Sequence, residues 1–352
     1  MAQQDSFLLY GAYGYTGRLV VERAVELGLK PRLAGRNRAR VEAVAGEFGL
    51  PFTDFDLSDA HALDAALSKV PLVLNCAGPF RHTFGPFADA CIRTGTHYLD
   101  LSGEIDVFCR AAARHCDFIN ADIMVMPGVG FDIVASDYLA CYVKTRLPSA
   151  SRLLLAVGRM EAVSRGTATT VVDQLGQPGL VRKGGRLAEV STAWKQRRID
   201  FGNGPELSIT APLADVFSAY YTTGIGDIEC YVALPCAVPA WLLRITHRML
   251  RPQWLLRVLR RRVQKQYKAG PDPAERAAGR SSIFAEASSG EGQRVQAVMH
   301  GPEPYTTTAV VAAAAVRCVL QGKVKPGFQT PSPTFGAALI SVIDDFEVID
   351  LE

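Results

Sequence analysis

The chain has 352 residues, of which 48% are hydrophobic and 21% are charged. This composition excludes a disordered chain, and the length favours two globular domains over one. The 38 basic and 35 acidic residues leave a formal net charge of +3, so charge alone gives no reason to expect a nucleic acid partner.

The 8 cysteines include no C-x-x-C pair, and most of them lie inside apolar stretches. We therefore expect reduced cysteines, no disulfide scaffold and no metal site, which indicates a cytoplasmic protein. The amino-terminal residues carry no positively charged run, and no apolar stretch reaches the roughly 18 residues of a membrane span. We expect neither a signal peptide nor a transmembrane helix.

Short apolar runs alternate with helical patterns over the first 130 residues. Strands and helices in this order form a Rossmann-type doubly wound parallel sheet, whose ligands bind beyond the carboxyl ends of the strands. Asn37 and Ser58 are placed to cap the second and third helices. The predicted strands are 7–10, 32–34, 52–55, 72–75, 97–101 and 123–126, and the predicted helices are 15–27, 37–48, 59–68, 84–93 and 104–115.

The pattern changes after residue 127, where widely spaced strands follow one another with few helices between them. A mixed or antiparallel sheet with inserted helices is typical of an α+β domain. The fold class is therefore α/β with a second α+β domain, and the predicted domains are 1–130 and 131–330. The predicted helices are 133–145, 167–175 and 306–320, the predicted strands are 152–157, 186–190, 207–210, 228–232, 282–287 and 295–299, and the predicted loop is 270–279.

A G-x-x-G-x-x-G pattern joins the first strand to the first helix. In such a turn the first glycine allows the chain to leave the strand sharply, the second admits a pyrophosphate, and the third lets the helix pack on the sheet. The helix amino terminus then offers free N–H groups to phosphate. The alternative is a glycine-rich turn that binds nothing. We assign to a nucleotide site Gly11, Tyr13, Gly14, Tyr15, Thr16 and Gly17.

Arg36 follows the second strand at the position where NAD-binding proteins usually carry an acidic residue. A guanidinium fork suits the 2′-phosphate of NADP(H), so we predict NADP(H) as the cofactor and place Arg36 and Asn37 beside it. Asp56 follows the third strand and could accept from the adenine amino group. The alternatives are that Arg36 and Arg38 are solvated and that Asp56 caps a helix.

The loop after the fourth strand consists of small residues that leave room for the cofactor. We place its Cys76, Ala77, Gly78 and Pro79 near the ribose and nicotinamide. Polar residues follow the fifth strand, and a hydride transfer needs a group that supplies a proton. The predicted catalytic residues are Tyr98 and Asp100, with His97, Ser102, Glu104 and Asp132 nearby; the alternative is that these side chains cap helices.

These motifs together resemble the saccharopine dehydrogenase-like oxidoreductases, and within them the branch of the trans-acting enoyl reductases. The stretches that carry the resemblance are 11–17, 34–36, 75–80, 95–100, 102–104 and 127–132. The resemblance implies an oxidoreductase that uses a nicotinamide cofactor, with a Rossmann domain and a second α/β domain. It also implies that a third segment, 331–352, with a helix near 335–342, returns to the first domain.

Residues 239–268 interleave tryptophans and leucines with nine arginines and lysines. Such a segment suits a peripheral membrane contact or an acidic partner such as an acyl-carrier protein. The alternative is a structural helix whose basic face is solvated.

Taken together, the sequence predicts an NADPH-dependent reductase acting on an activated C=C, C=N or C=O bond of a hydrophobic or carrier-bound substrate such as an enoyl thioester. Two alternatives stay open. One is a saccharopine-type amino-acid dehydrogenase, and the other is a non-catalytic, nucleotide-binding protein at a membrane surface.

Overall fold

The computed structural model describes residues 6–158, 164–174, 177–234, 253–343 and 345–351. The chain divides into two compact units, Met1–Tyr138 with Pro304–Asp344, and Leu139–Glu303 with Asp345–Glu352. The boundaries thus lie near 138 and 304, whereas the sequence placed them at 130 and 330.

The first unit contains a parallel sheet of seven strands among the described residues. Helices join consecutive strands, so the predicted doubly wound α/β class is confirmed. The strands are β1 (Leu8–Tyr10), β2 (Arg32–Gly35), β3 (Phe52–Asp54), β4 (Leu72–Asn75), β5 (His97–Asp100), β6 (Met124–Met126) and β15 (Gly327–Phe328); the helices are α1 (Tyr15–Glu26), α2 (Arg38–Phe48), α3 (Ala60–Leu67), α4 (Phe80–Thr94), α5 (Ile105–Ala113), α6 (His115–Asn120), α12 (Pro304–Leu320) and α13 (Pro331–Phe335). The helix α7 (Phe131–Arg146) begins in the first unit, and its residues from Leu139 onward belong to the second.

The local sequence explains where several of these elements begin and end. β1 and β4 are buried along their whole length, as expected for central strands covered on both faces. The side chain of Asn37 accepts a hydrogen bond from the Arg40 N–H and so caps α2, as predicted, and the left-handed Gly49 ends that helix. The cap of α3 is Asp59 rather than the predicted Ser58, because the Asp59 carboxylate accepts from the Ala62 N–H.

The second unit contains a mixed sheet in the order β10-β11-β12-β7-β13-β14-β16, in which β8 also pairs with β12 and β9 pairs with β8. β7 and β12 run parallel, and the other neighbours along that order are antiparallel. The predicted α+β class is therefore confirmed. The strands are β7 (Arg152–Val157), β8 (Gly179–Lys183), β9 (Arg186–Val190), β10 (Gln196–Asp200), β11 (Pro205–Thr210), β12 (Asp227–Ala233), β13 (Arg280–Ser288), β14 (Arg294–Pro302) and β16 (Glu347–Leu351); the helices are α8 (Arg165–Gln174), α9 (Asp215–Thr223), α10 (Gln253–Gln266) and α11 (Pro273–Ala278).

Some predicted elements differ from the structure. α4 begins at Phe80, four residues before the predicted start, because the chain turns into the helix directly after Pro79. The predicted helix 104–115 is two helices, α5 and α6. The predicted loop 270–279 contains α11, which starts with a capping box formed by Asp272 and Glu275. Four strands were missed, namely β8, β10, β15 and β16.

The alanine-rich helix α12 belongs to the first unit, although the sequence assigned it to the second. It packs against α1, and Ala312, Ala313 and Ala315 have no exposed surface. Small side chains let two helices approach closely, so this contact depends on the alanine run. In the last segment, where a helix near 335–342 was expected, α13 is followed by a 3₁₀ turn at Gly336–Leu339 and then by β16, which pairs with β14.

No helix in the described part of the chain is long and apolar enough to cross a membrane. Among the same residues, no three or more His, Cys, Asp or Glu side chains form a group that could hold a metal ion.

Candidate cofactor site

The carboxyl ends of the strands of the first unit meet along one edge of its sheet. The order β15-β6-β5-β4-β1-β2-β3 means that the chain proceeds outward from β1 on one side and from β4 on the other. The order reverses between β1 and β4, where a doubly wound sheet opens a crevice for a dinucleotide. The register places Tyr10 beside Asn75, and Asn75 beside Asp100, at this edge. The predicted site residues therefore follow neighbouring strands.

The three glycines of the turn after β1 have different roles. Gly11 has a φ of +87°, and a Cβ on it would lie 3.0 Å from Ala77. A Cβ on Gly17 would lie 2.2 Å from the carbonyl oxygen of Gly11, so the helix could not start where it does. A Cβ on Gly14 would lie 3.2 Å from that same oxygen, and the φ of Gly14 is −71°. Gly11 and Gly17 are required by the turn itself, whereas a Cβ on Gly14 would crowd the turn only slightly, so we expect the glycine there to serve a ligand.

α1 begins at Gly14 without a capping side chain among the described residues, and its first turn carries no acidic residue. The N–H groups of such a turn attract phosphate. Tyr13, Tyr15 and Thr16 are half-buried around this turn. The Tyr13 ring covers Gly35, whose missing Cβ would lie 2.6 Å from the ring. The turn thus has the shape and the polarity that a pyrophosphate requires.

The β2 and β3 side of the crevice carries Arg36, which is exposed at the end of β2. The Asp56 carboxylate accepts hydrogen bonds from the N–H and the hydroxyl of Ser58 at 2.9 and 2.7 Å. These bonds, and more weakly the Arg36 guanidinium, lower the pKa of Asp56. Ser58 therefore holds the Asp56 carboxylate, a hydrogen-bond acceptor, in place after β3. Asn37 uses its side-chain oxygen to cap α2.

Sequence reasoning missed Arg40, which lies on the same side of the crevice. Its guanidinium carbon is 4.4 Å from the centre of the Tyr13 ring, and it donates to the Tyr13 carbonyl oxygen at 3.4 Å. Arg38, by contrast, pairs with Asp54 at 3.0 Å. The signal in the sequence was the helix cap at Asn37, because the third residue after a cap lies in the first turn of the helix. Arg36 and Arg40 are the cations at this corner that can meet a phosphate.

The loop after β4, residues 76–79, borders the other side of the crevice. The Cys76 N–H donates to the Tyr10 carbonyl oxygen at 2.8 Å, which holds the loop beside the glycine turn. Gly78 and Pro79 are exposed and are joined by a cis peptide bond. Burial raises the pKa of the Cys76 thiol, so this cysteine is no thiolate nucleophile. What the loop offers to a ligand is its backbone.

The two predicted catalytic residues, Tyr98 and Asp100, have no exposed surface. The Tyr98 hydroxyl donates to Asp100 Oδ2 at 2.8 Å and accepts from Asn75 Nδ2 at 3.1 Å. Burial raises the pKa of Asp100 to about 6 and raises the pKa of Tyr98 well above its usual range. Side chains that are buried and bonded to protein groups do not reach a substrate. Their assignment as catalytic stays a prediction, which this geometry does not favour.

Two further carboxylates lie on the same edge. Glu104 accepts from the N–H groups of Phe80 and Arg81 at 2.8 and 3.0 Å, so it caps α4. Asp132 stands in the first turn of α7 with an exposed side chain, next to Gly103. Protein atoms nevertheless surround its carboxyl group closely enough that desolvation raises its pKa. Glu104 is therefore structural, whereas the Asp132 side chain is exposed at this edge.

Comparison with known proteins agrees with this geometry. Residues 7–124 match the family model of the saccharopine dehydrogenase NADP binding domain. This match lies within the first unit. The predicted resemblance is therefore confirmed, and so is NADP(H) as the cofactor. The binding of the pyrophosphate by the glycine turn and of the 2′-phosphate by the arginine corner stays a prediction.

Among curated proteins, the chain is similar to the trans-acting enoyl reductase of Mycobacterium leprae, at 34% identity over 38% of this chain and 34% of the relative. It is also similar to a probable mitochondrial saccharopine dehydrogenase-like oxidoreductase of Arabidopsis thaliana, at 30% identity over 37% of this chain and 32% of the relative. The chain thus matches about a third of the length of these relatives.

Among solved structures, the fold is similar to that of the L-Glu-forming saccharopine dehydrogenase of Saccharomyces cerevisiae. The TM-score is 0.69, the sequence identity is 14%, and the match covers 99% of this chain and 100% of the yeast protein. This match shows a shared fold over the whole chain.

We predict that Gly14→Ala weakens NADPH binding at least tenfold without unfolding the protein, because the φ of −71° suits alanine while the methyl group occupies the phosphate space. Titration of intrinsic NADPH fluorescence measures the dissociation constant. The matched control is Gly46→Ala in α2, where a Cβ meets open space. It should leave NADPH binding unchanged, and equal effects of both variants would contradict the assignment.

We predict that Arg36→Ser weakens NADPH binding by about 1.5–3 kcal/mol, the range for a hydrogen bond to a charged group, and leaves NADH binding unchanged. Arg40→Ser should act in the same direction. Arg38→Ser is the control, since Arg38 is already paired with Asp54. Parent protein that binds NADH as tightly as NADPH would overturn the 2′-phosphate assignment.

Proposed function

We propose that the protein is an NADPH-dependent reductase that transfers hydride to an activated double bond of a hydrophobic or carrier-bound substrate, such as an enoyl thioester. The observation that carries this proposal is the NADP-binding domain with its arginine corner, together with the relatives named trans-acting enoyl reductase. Hydride transfer asks the protein chiefly to bind two reactants in the right orientation and to supply a proton.

Two other functions use the same cofactor site. The fold shared with saccharopine dehydrogenase suits an amino-acid substrate, in which case a C=N bond would be reduced. A non-catalytic nucleotide-binding protein would need neither a substrate nor a proton donor. The Asp132 side chain is exposed, and desolvation raises the pKa of its carboxyl group. A carboxyl group of this kind supports an enzyme over a binding protein.

We assign to Asp132 the role of proton donor in the proposed reduction. Its side chain is exposed, and desolvation raises its pKa, which favours the protonated form that a general acid requires. The residue stands in the first turn of α7, on the β5 and β6 side of the crevice, where the second half of a dinucleotide lies in this fold. Tyr98 and Asp100 lie on the same side but are buried.

The test is NADPH consumption, followed by absorbance, with enoyl thioesters, enones and cyclic imines of increasing chain length. Preferential turnover of long enoyl thioesters supports the proposal, and preferential turnover of imino acids favours the amino-acid alternative. Asp132→Asn should lower turnover at least tenfold at saturating NADPH while the NADPH dissociation constant stays at the parent value. Absence of turnover on every substrate, despite tight NADPH binding, would favour the non-catalytic alternative.

We further propose that α10 docks an acidic carrier protein that presents the substrate. The predicted segment 239–268 falls partly outside the described residues, and α10 lies in its described part. α10 contains no acidic residue. Its apolar Leu256 is buried, whereas the side chains on the opposite face are exposed; these are Arg257, Val258, Arg261, Arg262 and Lys265.

This arrangement favours a carrier protein over a membrane as the partner. Lying in a membrane requires an apolar face that is free to insert. In the described part of α10, Leu256 is buried, and the exposed face carries one apolar residue, Val258, among cations. An exposed row of cations can still steer an acidic protein surface by charge. The partner would therefore be held by salt-sensitive ion pairs rather than by insertion.

We predict that Arg257→Glu, Arg261→Glu and Lys265→Glu together abolish binding to an acidic acyl-carrier protein, measured by calorimetry at low salt. Lys323→Glu with Lys325→Glu, exposed on the first unit, is the control and should leave binding unchanged. Raising the salt concentration should weaken binding of the parent, since exposed charges are screened within about 10 Å at 0.1 M salt. Binding of the parent to anionic vesicles but not to the carrier would contradict this proposal in favour of a membrane.

A further inference from the structure

A hydrogen-bonded network of buried and half-buried polar side chains lies beneath the loop 76–79. It starts at Asn75, the last residue of β4, which has no exposed surface. Asn75 Oδ1 accepts from the Ala77 N–H at 3.0 Å, and Asn75 Nδ2 donates to Thr83 Oγ1 at 2.9 Å. The Thr83 hydroxyl in turn donates to the Ala77 carbonyl oxygen at 3.0 Å. Both backbone polar groups of Ala77 are thus held by side chains.

The same network continues from the end of β4 to the ends of β5 and β6. Asn75 Nδ2 also donates to the Tyr98 hydroxyl, which donates to Asp100 Oδ2. Asp100 Oδ1 accepts from the N–H groups of Ser102 and Gly128 at 2.8 and 3.0 Å. The loops that follow β4, β5 and β6 are therefore joined by one set of hydrogen bonds.

All three joined loops lie on one side of the point where the strand order reverses. In a doubly wound sheet each side of that point receives one half of the dinucleotide. Arg36 and Asp56 stand on the β2 and β3 side, which receives the adenosine half. The network therefore underlies the nicotinamide half. The exposed residues of the loop above it are Gly78 and Pro79.

We propose that Tyr98 and Asp100 are positioning residues that act through Asn75 to hold the loop 76–79 in the shape that receives the nicotinamide half of NADP(H). A buried polar group without a partner lowers the stability of the fold, so each member of the network fixes the next. Removing the Tyr98 hydroxyl leaves Asn75 Nδ2 and Asp100 Oδ2 each without one partner. This inference deepens the cofactor site on which the proposed function depends, and it requires no particular substrate.

The test compares two ligands that share only one half. NADPH occupies both sides of the crevice, whereas adenosine 2′,5′-bisphosphate occupies only the β2 and β3 side. Tyr98→Phe should raise the NADPH dissociation constant about tenfold, the size expected for one hydrogen bond, and leave that of the bisphosphate unchanged. Thr83→Val, which releases Ala77 from the other direction, should give the same split. Binding is measured without turnover, so the result is independent of the proposed reaction.

The matched control is Thr96→Val. Thr96 is buried just before β5, at the amino-terminal ends of the strands and so away from the site. Its hydroxyl donates to the Leu67 carbonyl oxygen at 3.2 Å. It should lower the melting temperature but leave both dissociation constants unchanged. If Tyr98→Phe and Thr83→Val weaken both ligands equally, or weaken neither, the positioning role is wrong. If Tyr98→Phe binds NADPH normally but loses turnover, Tyr98 is catalytic instead.

Discussion

The close approach between Gly11 and Gly17 is the constraint on which the rest of the first unit depends. A single Cβ at Gly17 would lie 2.2 Å from the Gly11 carbonyl oxygen, so no other residue lets α1 begin at this point. The position of α1 decides where its free N–H groups point, and its outer side receives α12. A Cβ on Gly11 would likewise lie 3.0 Å from Ala77, so the glycine turn and the loop after β4 can lie side by side only because Gly11 has no side chain. One turn thus determines both walls of the cofactor crevice.

Local signals in the sequence predicted most of the first unit. Glycines, helix caps and short apolar runs act within a few residues, which is why α1, α2 and the six strands from β1 to β6 were found close to their true bounds. Among the missed strands, β15 is a two-residue strand that exists only because β6 offers it an edge. The grouping of α12 with the first unit depends on contact with α1, nearly 300 residues earlier in the chain. Such contacts leave no local pattern.

The site shows the same division. The residues that we expect to bind through backbone and charge, such as Gly14 and Arg36, could be proposed from the sequence because their chemistry is tied to their place after a strand. The side chains after β5 could not be sorted in this way. Tyr98, Asp100, Glu104 and Asp132 are all polar residues near strand ends, and sequence alone cannot tell which of them is buried. The hydrogen bond that Asn75 donates to the Tyr98 hydroxyl spans 23 residues and is formed only when β4 and β5 pair.

Asp100 and Asp132 show how burial assigns roles to identical side chains on one sheet edge. Desolvation raises the pKa of both carboxyl groups. Around Asp100 the hydrogen bonds from Ser102, Gly128 and Tyr98 oppose that rise, because they stabilise the charged form. That carboxylate is consequently committed to protein donors and cannot exchange a proton without breaking them. Asp132 is exposed, and we propose that it donates a proton outward. On this edge, Asp100 therefore holds the loops, and Asp132 is the proposed proton donor.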